Sequence, residues 1–215
     1  MARSTPPSPP NDDGGSPETD GPETEREDGR RRRSNRSRVQ IVEAMLHLIR
    51  SGDMMPSAAE VADAAGVSIR TVFRHFEDMD SLYREMSARV EAEIMPMVRE
   101  PFGGATWLDQ LDELLARRAH IYERIMPIRT AASLRRFRSA FLMEEYRRFL
   151  QIEREGLESV LPKSIRADRL TMSGLEVTIS FQAWRRMRQD QGLSAKDAEA
   201  VMRRIVDLLI APART

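Results

Sequence analysis

Between Pro56 and Met86 the chain reads PSAAEVADAAGVSIRTVFRHFEDMDSLYREM, and no other stretch limits the possible fold as much. Ser57 is placed to cap a helix whose Val61, Ala62 and Ala65 share one face. Gly66 stands where the chain must turn through a positive φ, which a residue lacking Cβ reaches at least cost. Val67 then plugs the corner. Ser68 caps a second helix that returns Val72 and Phe76 to the core and leaves Arg70, Thr71 and Arg74 facing outward. Two short helices around a glycine turn, the second polar and arginine-bearing, make the shape that enters a major groove of DNA.

The flanking sequence supports this unit. A first helix is expected over Val39 to Ile49, burying Ile41, Val42, Met45 and either Leu46 or the Leu48–Ile49 pair, and Ser51-Gly52-Asp53 ends it. A fourth helix is expected from Ser81 to Met95, stopped by Pro96. Beyond it every periodic segment is helical. A fifth helix over Thr106–Met126 carries Leu108, Leu111, Leu114, Leu115, Ile121 and Ile125, and Pro127 breaks it from a short sixth, Ile128–Leu134. The seventh, Arg138–Leu161, carries Phe141, Leu142, Phe149, Ile152 and Leu157 and stops at Pro162. An eighth is expected to run unbroken from a cap at Ser164 to Gln189, and Gly192 separates it from a ninth. In that ninth helix Ser194-Ala195-Lys196-Asp197 resembles an N-terminal cap, and Val201, Ile205, Leu208 and Leu209 form the stripe. No alternating strand pattern competes. The expected fold is all-α with about nine helices: a tail over 1–34, a helix-turn-helix unit over 35–80 and a helical domain over 81–215.

Net charge is zero, so distribution matters more than the total. Residues 1–29 carry eight acidic and two basic side chains, a net of −6, whereas residues 30–75 carry nine basic and four acidic, a net of +5. The remainder balances 23 basic against 22 acidic. Positive charge thus gathers on the candidate DNA-binding unit. Residues 1–34 hold too little apolar surface to offset ordering entropy and are expected to be disordered, ending in the basic run GRRRRSNRSR. Arg36 and Arg38 in that arm are candidate contacts to phosphates or an adjacent minor groove. Zero cysteines exclude disulfides and thiolate chemistry. No apolar run spans a membrane and no leader-like segment opens the chain, so a cytoplasmic protein with no membrane partner is expected.

With its first helix, VADAAGVS, the TVFRHF block and the acidic turn into a long fourth helix, the stretch from Arg38 to Val90 resembles the DNA-binding domain of the tetracycline-repressor (TetR) family. The resemblance implies a regulator that binds double-stranded DNA as a homodimer at a pseudo-palindromic operator, most often a repressor released by a small organic ligand. The alternative is a DNA-binding regulator without such a ligand, controlled by a protein partner or by its tail. By resemblance, Arg70 and Arg74 are the base readers, since arginine reads guanine O6 and N7 bidentately. Thr71 and His75 are phosphate contacts, and Ser68 is more a cap than a contact. Phe73 stands where the family usually has tyrosine, keeping the packing and losing a phosphate hydrogen bond. Met79 replaces a lysine common in the family, in a corner made acidic by Glu77, Asp78 and Asp80.

The same resemblance places a small-molecule pocket in the larger domain, with Met97, Tyr122, Phe141, Phe149, Met172 and Glu176 as lining candidates. Glu176, an acid inside an apolar helix, needs either an arginine or a cationic ligand. The segment AWRRMR, followed by QGLS, also resembles the family's close, where the last two long helices pair with their mates in a four-helix interface. An eighth helix apolar on nearly every side calls for such a partner. His47, His75 and His120 lack a ligand-like spacing, so no metal and no cofactor is expected. With no GxSxG, no phosphate-cradling glycine loop and no HExxH, an enzyme is not expected.

Overall fold

A computed structural model describes residues 22–211, with all side chains of that span except those of residues 22–30, 32 and 33. It is all-α, and among the described residues there is no strand. Ten α-helices follow one another: α1 (Pro22–Arg50), α2 (Ala58–Ala64), α3 (Ile69–His75), α4 (Met79–Arg99), α5 (Trp107–Arg135), α6 (Ala140–Val160), α7 (Lys163–Ala167), α8 (Arg169–Thr178), α9 (Phe181–Arg185) and α10 (Ala195–Ile210). One 3₁₀ turn (Arg136–Arg138) and one π-turn (Arg186–Asp190) join the longer pieces.

α1 begins at Pro22, well before the expected start at Val39. Its first half is rich in Glu and Arg, good helix formers, and proline is well suited to a helix's first position. Residues 22–34, expected to be disordered, are therefore helical, while the rest of the expected tail, 1–21, lies outside the described residues. The chain divides into two compact units between Ser37 and Arg38, inside α1. In the larger unit, Ile41, Val42, Met45, Leu46 and Ile49 of α1 are buried beside Val61, Ala62, Val72 and Phe76.

Two expected breaks do not occur. α4 passes through Pro96 and α5 through Pro127, joining the expected fifth and sixth helices into one. An interior proline removes one helical hydrogen bond and costs about 3 kcal/mol. Around Pro127 the burial of Ile125 and Ile128 on the same helix offsets that cost. The expected eighth helix shows the opposite error, because it is cut into α7, α8, α9 and the π-turn. The Asp168 carboxylate accepts from the Leu170 and Thr171 amides at 3.0 and 3.4 Å, starting α8 afresh. Ser180 accepts from the Ala183 amide at 3.2 Å and starts α9. Short polar side chains thus outcompete the helix for its own backbone groups.

α10 opens at Ser194 as expected, after Gly192 at φ 67°. Its inward stripe, however, is Ala198, Met202, Val206 and Ile210. Of the stripe read from the sequence, Val201, Ile205 and Leu208 face outward, 37%, 40% and 68% exposed, while Leu209 packs against the core. α10 has two apolar faces, and only one is used inside the chain. α8 lies against it through Gly174, where a Cβ would come within 3.3 Å of Leu209.

Candidate nucleic-acid interface

The turn between α2 and α3 is built by short-range bonds. Ser57 and Glu60 form a reciprocal capping box, with the Ser57 amide donating to Glu60 Oε2 at 2.8 Å and the Glu60 amide to Ser57 Oγ at 3.3 Å. The Ser57 hydroxyl, donating to Glu60 Oε2 at 2.6 Å, and then the Ser57 amide hold the Glu60 carboxyl below the usual carboxylate range. α2 ends in Gly66 at φ 65°, with the Gly66 and Val67 amides turned back to the Asp63 and Ala62 carbonyls. Ser68 accepts from the Thr71 amide at 3.2 Å, and its hydroxyl lies 3.0 Å from that of Thr71. Both hydroxyls are engaged at the cap.

With one side of α3 pinned by buried Val72 and Phe76, Arg70 and Arg74 stand exposed one turn apart. Among the described residues neither forms an ion pair or hydrogen bond. Ile69 and Phe73, 48% and 50% exposed, flank them on the same helix. Ile69 was not among the residues expected to face DNA; its signal was an aliphatic at a position that periodicity left outside. A face of two free guanidinium groups beside two apolar side chains matches base edges and thymine methyl groups in a major groove.

Arg38 does something other than reach outward. Its guanidinium donates to the His75 carbonyl at 3.1 Å, pairs with Glu85 at 2.8 Å and lies 4.7 Å from the Phe76 ring centre. It ties the end of α3 to α4, so its charge is committed within the protein. Arg36 is exposed on α1. His75 is half-buried with Nε2 unpartnered; burial first, then Arg74 and Arg38, lowers its pKa from the ordinary histidine value. The acidic corner before α4 is also partly committed, since Asp78 accepts from the Ser81 amide at 2.7 Å and Asp80 from the Ser139 hydroxyl at 2.6 Å. Met79 opens α4 as a half-buried core residue.

The model of the bacterial regulatory proteins of the tetR family matches residues 55–86, the capping box, turn, α3 and the start of α4. Over those residues the chain is similar to the DNA-binding segment of the tetR-family regulators. No curated protein matches the chain in sequence. In fold the chain is similar to the crystal structure of a transcriptional regulator from Rhodococcus sp. Rha1, with a TM-score of 0.63 at 21% identity over 83% of this chain and 96% of that one.

The expected pocket residues scatter. Tyr122 and Phe149 line a cavity of about 120 Å³ bounded by α4, α5 and α6. Met172 is buried core, Met97 packs at the core edge, and Phe141 lies under the Arg84 guanidinium at 4.3 Å. Glu176 lies beside a groove outside that chamber, with Oε1 2.9 Å from Arg154. The need for a cation is met by arginine. The Tyr122 hydroxyl donates to Glu153 at 2.5 Å, and Glu153 also accepts from the Phe181 amide at 2.9 Å. Burial raises the Glu153 carboxyl above its ordinary pKa, against the pull of Tyr122, Arg118 and Phe181. Arg118 spends its own N–H groups on the Glu153 and Ile179 carbonyls. Sequence reading missed Arg118 and Glu153 because charged residues on amphipathic helices are usually solvated.

Proposed function

We propose that the protein is a dimeric, ligand-released repressor, acting in the cytoplasm on a pseudo-palindromic operator and carrying no enzymatic activity. The observation that carries DNA recognition is the free face of α3, where Arg70 and Arg74 have no internal partner among the described residues while Ser57, Glu60, Ser68 and Arg38 are committed to caps or a strut. Arg70 and Arg74 read bases. Thr71, near the helix N-terminus, and His75 meet phosphates, with Phe73 packing against the groove wall and Ser68 acting through the cap. Arg36 adds a phosphate contact of its own.

Dimerisation follows from the outer faces of α8 and α10. Leu170, Val177 and Leu208 are 83%, 70% and 68% exposed, a concentration of large apolar side chains that a partner copy would cover. A two-fold axis there would set two recognition helices into successive major grooves about 34–36 Å apart. α4 supplies the coupling: it lines the inner cavities and is tied to the DNA-binding unit by Arg38–Glu85 and by the Arg89–Glu43 pair. A ligand shifts the equilibrium only by binding the DNA-free arrangement more tightly.

The test is sedimentation of the pure protein followed by gel retardation of fragments from its genomic neighbourhood. The expected result is twice the monomer mass and retardation of a fragment containing an inverted repeat. A monomer at micromolar concentration, or no retarded fragment, would sink the proposal. A dimer that binds DNA but responds to no compound would favour control by a protein partner.

A further inference from the structure

We propose that the cavity between α4, α5 and α6 takes an amphipathic organic anion, with Arg129 and Arg136 holding the carboxylate or phosphate head and an apolar tail passing the Phe149 wall. The inference rests on the ligand-released reading and specifies its ligand class.

The chamber against α4 has a volume of about 80 Å³ and is lined by apolar residues such as Val90, Ile125 and Leu142. Five charged side chains also border it: Glu91, Arg129, Arg136, Glu145 and Arg148. Three arginines against two glutamates leave one net positive charge. Arg148 takes both acids, reaching Glu91 at 2.9 and 2.5 Å and Glu145 at 3.2 Å. Arg129 and Arg136 are left without an ion pair among the described residues.

Both are held by aromatic faces instead. The Arg129 guanidinium lies 3.8 Å from the Phe149 ring centre, and that of Arg136 lies 4.2 Å from the Tyr146 ring centre. Stacking occupies the faces of a guanidinium and leaves its in-plane N–H groups for a planar anion. Arg136 Nε is buried with no acceptor, a donor left unmet inside the protein. Burial lowers Arg129 to about 10 against the partial pull of Glu153 and Glu145, so it stays charged at neutral pH. Glu153, the carboxylate that most offsets this, already accepts from the Tyr122 hydroxyl and the Phe181 amide.

The tail has somewhere to go. The 80 Å³ chamber and the 120 Å³ chamber share Ile94, Met95, Phe149 and Ile152 as a common wall. Met95 is unbranched and adaptable, so this wall can open to an alkyl or aryl chain. An anion there would press on α4 from Val90 to Met95, the stretch that includes Glu93, paired with Arg50 of α1.

Four eight-carbon probes test the proposal by calorimetry and by DNA release: octanoate, octyl phosphate, octan-1-ol and octylamine. The two anions should bind and the amine should not. Arg129→Met and Arg136→Gln should each weaken anion binding by about 10–100-fold, as expected for losing a charge-assisted hydrogen bond. Arg129→Lys should retain most of it, and melting without ligand shows that each variant folds. Glu176→Gln should leave anion binding unchanged. Binding of the alcohol or amine as tightly as the anions, no binding of either anion, or Arg129→Met and Arg136→Gln variants that fold and bind anions like the parent would each overturn the proposal. Anion binding that fails to release DNA would leave the pocket assignment standing and remove the ligand-released reading alone.

Discussion

The helix-turn-helix and the helical bundle that follows it treat charge in opposite ways. Around α2 and α3, polar groups near the backbone are spent on caps and the long cations point out, free of partners. In the bundle, Arg118, Arg188 and Glu153 turn inward and are satisfied by carbonyls, a hydroxyl or a carboxylate. Glu123 of α5 is one centre of this: it accepts from Trp184 Nε1 at 2.8 Å and pairs with Arg188 at 2.8 Å. These bonds, Arg188 foremost, hold the Glu123 carboxyl below its ordinary range. The AWRRMR segment is therefore a clamp from α9 and the π-turn onto α5. The contrast teaches that one region is shaped to leave charge available and the other to use it up, with the Arg129–Arg136 chamber as the place in the bundle where charge is left over.

The largest expected effect attacks the bundle. Trp184 is fully buried, and Trp184→Ala should cost about 3–5 kcal/mol in chemical denaturation. A loss below about 1 kcal/mol would show that the clamp is peripheral and the contrast overstated. Next comes the outward face: Arg70→Ala and Arg74→Ala should each weaken specific DNA binding by about 1–3 kcal/mol and relax preference at one base pair. Their melting temperatures should not change, because neither side chain has an internal partner. Parental sequence preference in both variants would remove the base-reading assignment.

Gly66→Ala sharpens the role of the turn. A Cβ there meets nothing within 4 Å, so the expected cost of about 1–2 kcal/mol is purely that of a positive φ. A larger loss, measured by thermal melting, would point to packing at the corner. The smallest effect concerns His75, whose folded pKa lies below its unfolded value of about 6.5. A base with a depressed folded pKa contributes stability that is present above the unfolded pKa and lost as pH falls through the folded one. Stability should therefore drop on acidification below about pH 6.5, and His75→Gln should flatten that drop. An unchanged pH profile in the variant would assign the acid loss to other groups.

The helix-turn-helix was readable from residues within a few positions of each boundary. Ser57, Gly66 and Ser68 act on backbone groups no more than a turn away, so their effect survives without any knowledge of the rest of the chain. The cap at Ser194 and the all-α class were legible for the same reason. What periodicity could not decide was which of two apolar stripes on α10 faces inward, since Val201, Ile205 and Leu208 are as regularly spaced as Met202 and Val206. That choice depends on where α5 and α8 lie. Nor could it say that Pro127 would be carried inside a helix, that Arg38 would close on His75 and Glu85 rather than reach outward, or that Arg154 would meet Glu176. These outcomes bring together residues tens of positions apart, where packing around a proline offsets a lost hydrogen bond and a charge takes whichever partner the fold places within reach.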